Sequence, residues 1–210
     1  MSKNTAEEVN SLTLDELLEI QKQRKVPSIS QISLQVLLSY FEQYILPFKY
    51  IYTCRNKLTI EFTIKERELC HLLFGTIDKN FPHASKYKGE LGYKNIKDGS
   101  LTLGNLPQQI LKKAKSRIMF FIYLDVLLDN PRLIYFNPKI VDRGNFNIAH
   151  TQVDADFLFH KIIADYNIHF FIKNWKDDSI VSVSFFPDEK DGYVKNQVPM
   201  KIIDKKKIKI

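Results

Sequence analysis

Three places in this chain of 210 residues put reactive side chains where a fold could use them. The first is His71, within Leu69-Cys70-His71-Leu72-Leu73-Phe74-Gly75. On a helix, Leu69, Leu72 and Leu73 form one stripe and His71 projects to the opposite side, beside Arg67 and Phe74. That placement suits either an exposed surface histidine or an acid/base group in a groove with a cation one turn away. The second is Arg117, at the edge of a helical stripe of Leu111, Ala114, Ile118, Phe121 and Ile122. Phe121 and Leu124, one and two turns later, cover its stem, so its guanidinium must find a partner. A carboxylate would make an ion pair; a phosphate would match the planar fork with two oxygens. The third is Ser182 and Ser184, which alternate with Val181, Val183 and Phe185. Period two sets both hydroxyls on one face of a strand, either facing water or binding a phosphate together. Tyr193 follows the turn Pro187-Asp188-Glu189-Lys190-Asp191-Gly192 and can return beside them.

Other chemistries lack their residues. The chain contains no His-Glu-x-x-His, no Cys-x-x-Cys, no phosphate-binding loop ending in Gly-Lys-Ser/Thr, no Gly-x-Gly-x-x-Gly and no Gly-x-Ser-x-Gly. Zinc hydrolases, P-loop enzymes, Rossmann enzymes and α/β-hydrolases are therefore disfavoured. His150, His160 and His169 are spaced too widely for a recognised ligand pattern, so neither a metal nor another cofactor is expected.

The elements that must position these residues can be read from period and capping. Thr13-Leu14-Asp15-Glu16 is a capping box, predicting a first helix from about Leu14 to Lys25, ended by Pro27. Leu34, Leu37, Leu38, Phe41 and Ile45 predict a second helix, capped by Ser30 or Ser33 and ended at Pro47. Phe48 to Thr53 and Leu58 to Thr63 read as a β-hairpin. A second capping box, Thr63 to Glu66, opens the short His71 helix, which ends at Gly75. Residues 76 to 106, rich in Gly, Lys, Asn and Tyr, read as a long loop with at most one short hairpin. Pro107 starts a helix that lasts to about Asp129, and Asn130-Pro131 stops it. Arg132 to Asn137, Asp156 to Ile163, Ile168 to Trp175 and Ile180 to Phe186 alternate like antiparallel strands. Helices first and strands last give the α+β class.

Composition sets the setting. With 44% apolar residues, 26% charged residues, 10 Tyr and 15 Phe, the chain is a folded globular protein rather than a disordered or low-complexity one. The longest apolar run, Ile118 to Leu128, falls well short of the roughly 20 residues that cross a bilayer. The polar start carries no secretory signal, and Cys54 and Cys70 are too few for a disulfide framework. A soluble cytoplasmic protein without membrane contact is the expectation. Lys and Arg outnumber Asp and Glu by 31 to 24, for a net charge of +7. The cations cluster at Lys79, Lys86, Lys88, Lys94 and Lys97, at Lys112, Lys113, Lys115 and Arg117, and from Lys201 to Lys209. Tyr87 and Tyr93 interleave the first cluster, as in surfaces that stack bases and hold phosphates. A solvated basic surface is the plainer reading.

The order of these pieces resembles a known family. A hairpin, then Leu69-Cys70-His71-Leu72-Leu73-Phe74-Gly75, then a helix with Arg117-Ile118, then Ile134-Tyr135-Phe136-Asn137, and late Val183-Ser184-Phe185-Phe186 followed by Tyr193, is similar to the phage-associated nucleases of the barnase, EndoU, colicin and RelE-like superfamily, the PBECR type and most closely its fourth subgroup. The likeness covers roughly Phe48 to Lys207. It departs from the family pattern at Phe74, which intrudes between Leu73 and Gly75. The resemblance implies N-terminal helices followed by a curved antiparallel sheet packed on helices, and a metal-independent endoribonuclease acting as a toxin in phage or mobile-element conflict, with tRNA or other RNA as target. Under it, residues 47–210 form the nuclease domain. Residues 1–46 lie outside the resemblance and are expected to form a helical segment for a neutralising antitoxin or immunity protein, or for a homodimer. His71, Arg117, Ser184 and Tyr193 would be the catalytic set; Arg67, Lys86, Lys88, Tyr93, Lys94, Lys115 and Ser182 would bind RNA. The alternative is a non-catalytic phage structural or nucleic-acid-binding adaptor that keeps the fold.

Overall fold

The computed structural model describes residues 11–141, 151, 153–175 and 179–210; His150 lies outside them. The class is α+β, and the chain divides into two units, each built from two stretches of sequence.

One unit comprises residues up to Ile45 and Lys65–Tyr123. Its first helices form where the caps place them. In α1 (Leu14–Lys22), Glu16 N–H donates to Thr13 Oγ1 at 3.3 Å, and Thr13 N–H donates to Glu16 Oε2 at 2.8 Å. That contact holds the Glu16 carboxyl below its ordinary range. In α2 (Leu34–Tyr44), Val36 N–H donates to Ser33 Oγ at 3.1 Å. The helices bury Leu17, Leu34, Leu37 and Phe41 completely, and Tyr40 and Phe41 meet Phe121 with ring centroids 5.9 and 6.3 Å apart. Helix α3 (Leu69–Phe74) follows a 3₁₀ turn, Glu66–Glu68. Its approach is closed two residues later than the spacing predicts: Lys65 N–H donates to the Glu68 carboxylate at 2.6 Å, where Thr63 and Glu66 were expected to pair.

Residues 76–106 are not the long loop their composition suggests. They hold a 3₁₀ turn, Ala84–Tyr87, and a helix, α4 (Gly89–Lys97). Gly92 misleads a sequence reader because here glycine serves packing. A Cβ at that position would lie 2.6 Å from Cys70 Sγ and 2.9 Å from the Tyr87 carbonyl carbon. Helix α5 (Gln108–Phe120) starts after Pro107 as expected, then a 3₁₀ turn, Phe121–Tyr123, separates it from α6 (Leu124–Asp129).

The other unit comprises Leu46–Ile64 and Leu124–Ile210. It carries two antiparallel sheets. The first has the order β2 (Thr59–Thr63), β1 (Phe48–Cys54), β8 (Ile202–Lys209). The second runs β6 (Ile180–Asp188), β5 (Tyr166–Asn174), β4 (Phe157–Ile163), β3 (Arg132–Tyr135), β7 (Val198–Met200). Aromatic rings join the two: Phe159 lies 5.0 Å from Tyr52 and 5.6 Å from Phe62, and Phe170 lies 5.9 Å from Phe62. Helix α6 packs on β4, where Lys161 Nζ donates to the Val126 carbonyl at 3.0 Å. Among the described residues no helix is long and apolar enough to cross a membrane.

Candidate active site

Helix α3 buries five of its six residues and leaves His71 half-exposed. Phe74, expected beside His71, is buried instead, as the last helical residue. The helix ends because Gly75 turns to φ +71°, a conformation that side chains with a Cβ rarely adopt, while its N–H donates to the His71 carbonyl at 2.8 Å. Arg117 explains the glycine further. Helix α5 packs on α3, and a Cβ at residue 75 would meet the Arg117 guanidinium at 3.1 Å from Cζ and 3.2 Å from Nε. The bare backbone at Gly75 thus gives Arg117 its seat, at the end of the helix that carries His71. An imidazole able to move a proton and a guanidinium able to stabilise an anion are held on two packed helices.

The basic residues of the same unit fall into two groups. Arg67, Lys86, Lys94 and Lys115 are exposed and Lys88 is half-exposed, at the N-cap of α4. Tyr93 belongs with the core, which corrects its expected role as a base-stacking residue. It is 4% exposed, and its hydroxyl donates to Glu42 Oε1 at 2.5 Å. Burial and the Glu42 carboxylate push the Tyr93 hydroxyl above its ordinary range. Lys97 completes this contact, 2.9 Å from Glu42 Oε1 and 5.5 Å above the Tyr93 ring. An α4 that alternates buried Gly92, Tyr93 and Ile96 with exposed Lys94 and Lys97 is an ordinary amphipathic helix.

Ser182, Ser184 and Tyr193 belong to the sheet unit, where strict alternation fails. Phe171 pairs with Ser184, but the next residue, Ile172, pairs with Ser182, so β6 carries one extra residue at Val183. Opposed residues share a face and consecutive residues of β5 do not. The bulge therefore sends Ser184 to the Phe171 face and Ser182 to the Ile172 face, and the expected hydroxyl pair does not form. Tyr193 does return over the face of Ser184. Its ring is 7% exposed, packed 5.6 Å from Phe171 and 5.2 Å from Phe186, so it serves the core of this face.

Two further features belong to the sheet unit, the first an approach of two histidines across strands that the sequence allows. The register of β4 and β5 sets His160 against His169, with stacked rings 5.5 Å apart. His160 Nε2 is 2.9 Å from Asn167 Oδ1, whereas both nitrogens of the wholly buried His169 have no hydrogen-bond partner among the described residues. Burial, and then the neighbouring His160, push His169 down to about 3. The second feature is a groove edged by Arg55, Lys57 and Lys201. The β1–β2 turn and β7 create it, and no short-range spacing announces it. Among the described residues no group of three or more His, Cys, Asp or Glu side chains converges as a metal-binding set. In comparisons with known proteins, no family model, no curated protein and no solved structure matches the chain.

Proposed function

We propose that the protein is a metal-independent endoribonuclease of the cytoplasm, a toxin of phage or mobile-element conflict, with His71 and Arg117 as its reacting pair. The observation that carries the reading is the seat of the Arg117 guanidinium over Gly75, at the end of the His71 helix. In the reaction the RNA's own 2′-OH attacks the adjacent phosphorus. His71 takes the 2′-OH proton, the bond from phosphorus to the 5′-oxygen breaks, and that oxygen takes up a proton from water. Arg117 stabilises the negative charge that gathers on the phosphoryl oxygens. The exposed Arg67, Lys86, Lys94 and Lys115 of the same unit hold flanking phosphates, with Lys88 beside them. An antitoxin or immunity protein that binds residues 1–46 would restrain the activity.

A non-catalytic adaptor that binds nucleic acid is the second reading. The separation of Ser182 from Ser184 favours it, since it removes the hydroxyl pair a scissile phosphate would use. Incubation with total RNA in EDTA separates the two. The nuclease yields discrete fragments; His71→Ala loses them with an unchanged melting temperature, because the half-exposed imidazole is not part of the buried stripe. Arg117→Lys is impaired by about a hundredfold or more, since an ammonium cannot reproduce the fork. Binding without fragments from the wild-type protein would establish the adaptor.

A further inference from the structure

The sheet unit carries a groove of about 800 Å³ whose lining combines three cations with an apolar floor and has no carboxylate. Arg55, Lys57 and Lys201 are exposed, and none has an acidic partner among the described residues. This sets them apart from Lys206 and Lys207 of the C-terminal strand β8. Lys207 lies 3.7 Å from Asp129, Lys206 lies 3.7 Å from Asp204, and Lys205 donates to the Asp129 carbonyl. The three free cations are held in place by backbone. Arg55 N–H donates to the Lys201 carbonyl at 2.9 Å, and Lys57, at φ +68°, closes the β1–β2 turn with its N–H on the Cys54 carbonyl.

The floor is aromatic and aliphatic. Tyr135 is 53% exposed, propped by Phe157 at 5.9 Å with the rings nearly perpendicular, and Val198 pairs with it across β7. Leu58 and Val198 are exposed beside it. An exposed ring among unpaired cations is the combination by which single strands are held: the ring stacks a base and the cations follow the phosphates. A peptide adding to the edge of the sheet fits less well. The edge strand β7 has three residues, and the middle one, Pro199, has no N–H to offer.

We infer that this groove binds a single-stranded polynucleotide, with a base stacked on Tyr135 and successive phosphates on Arg55, Lys57 and Lys201. Its lining holds no histidine and no carboxylate, and the inference stands independently of the nuclease reading. Its contacts reach phosphates and a base face, so deoxy and 2′-O-methyl strands bind alike, and neither can be cut through a 2′-OH.

The test is the anisotropy of labelled deoxy and 2′-O-methyl strands of about ten nucleotides, over a range of salt. Tyr135→Ala weakens binding about tenfold while Tyr135→Phe stays near wild type. The triple variant Arg55→Gln, Lys57→Gln, Lys201→Gln loses about 2 from the log-log salt slope, at roughly 0.7 for each phosphate released. All these side chains are exposed, and equal thermal melts confirm the fold. Unchanged affinity in Tyr135→Ala, or an unchanged slope in the triple variant, overturns the inference. So does polyglutamate binding that matches the oligonucleotides and ignores Tyr135, which would assign the groove to an acidic protein. Loss of RNA cleavage with this binding intact would fault the nuclease reading alone.

Discussion

His169 shows what single residues cost and contribute in this protein. Its ring is wholly buried on one face of the five-stranded sheet, against His160, Phe171, Phe186 and Tyr193, and only its neutral form fits there. An unfolded histidine takes a proton near pH 6.5, whereas burial holds the folded one down to about 3. Between those values the unfolded chain binds a proton that the native chain does not. Its contribution is therefore complete above about pH 6.5 and is lost as pH falls, at roughly one kcal/mol per pH unit. Burial lowers His160 as well, in the same direction. The melting temperature should accordingly drop between pH 6.5 and 5, above the range in which ordinary carboxylates titrate. His169→Leu should remove its share of that slope, and an equal slope in the variant would contradict the account. At Cys70 the same physics makes a quiet group. Burial pushes its thiol up to about 12, so it stays protonated against Gly92 and does not act as a nucleophile.

Among the elements, the contact between α3 and α4 is the most exposed to a single change. Gly92→Ala puts a methyl 2.6 Å from Cys70 Sγ and 2.9 Å from a backbone carbon, so α4 must shift, at a cost of about 1–3 kcal/mol. Adding Cys70→Ala to that variant removes the sulfur and should recover part of the loss; a purely additive pair, read from thermal melts, would show that the two do not couple. The same glycine explains which elements could be read in advance. Helices α1 and α2, the β1–β2 hairpin and the start of α5 announce themselves through Thr13, Ser33, alternating aromatics and Pro107, all local signals. Helix α4 hides because Gly89 and Gly92 look like loop residues until Cys70 is seen to need the space. Strand β8 hides because its lysines look like a basic tail. They sit on a sheet edge, where charge discourages pairing with another chain. Of the candidate site, His71 was legible from helical spacing and Arg117 from its place at the edge of a stripe. Ser182 and Ser184 were misread because a bulge at Val183 is set by pairing with β5, which no spacing within β6 reveals.

At the scale of the whole molecule, a net charge of +7 is spread over two units that use it differently. The helical unit carries exposed Arg67, Lys86, Lys94 and Lys115 in the same unit as the His71 and Arg117 helices; the sheet unit carries Arg55, Lys57 and Lys201 around Tyr135, without acidic partners among the described residues. The proposed RNA substrate would meet the first set and the proposed single strand the second, and the chemistry proposed on RNA is what a measurement must reach. The most direct measurement of the proposed activity is the identity of the ends on RNA incubated with the protein in EDTA, with a matched strand carrying 2′-O-methyl at the nucleotide expected to be cleaved. Attack by the 2′-OH leaves a cyclic phosphate or 3′-phosphate on one fragment and a 5′-hydroxyl on the other, and the methylated strand stays whole. Fragments with 5′-phosphates, cutting that EDTA stops, and cleavage of the methylated strand would instead mark a metal-activated water and contradict transesterification by His71 and Arg117.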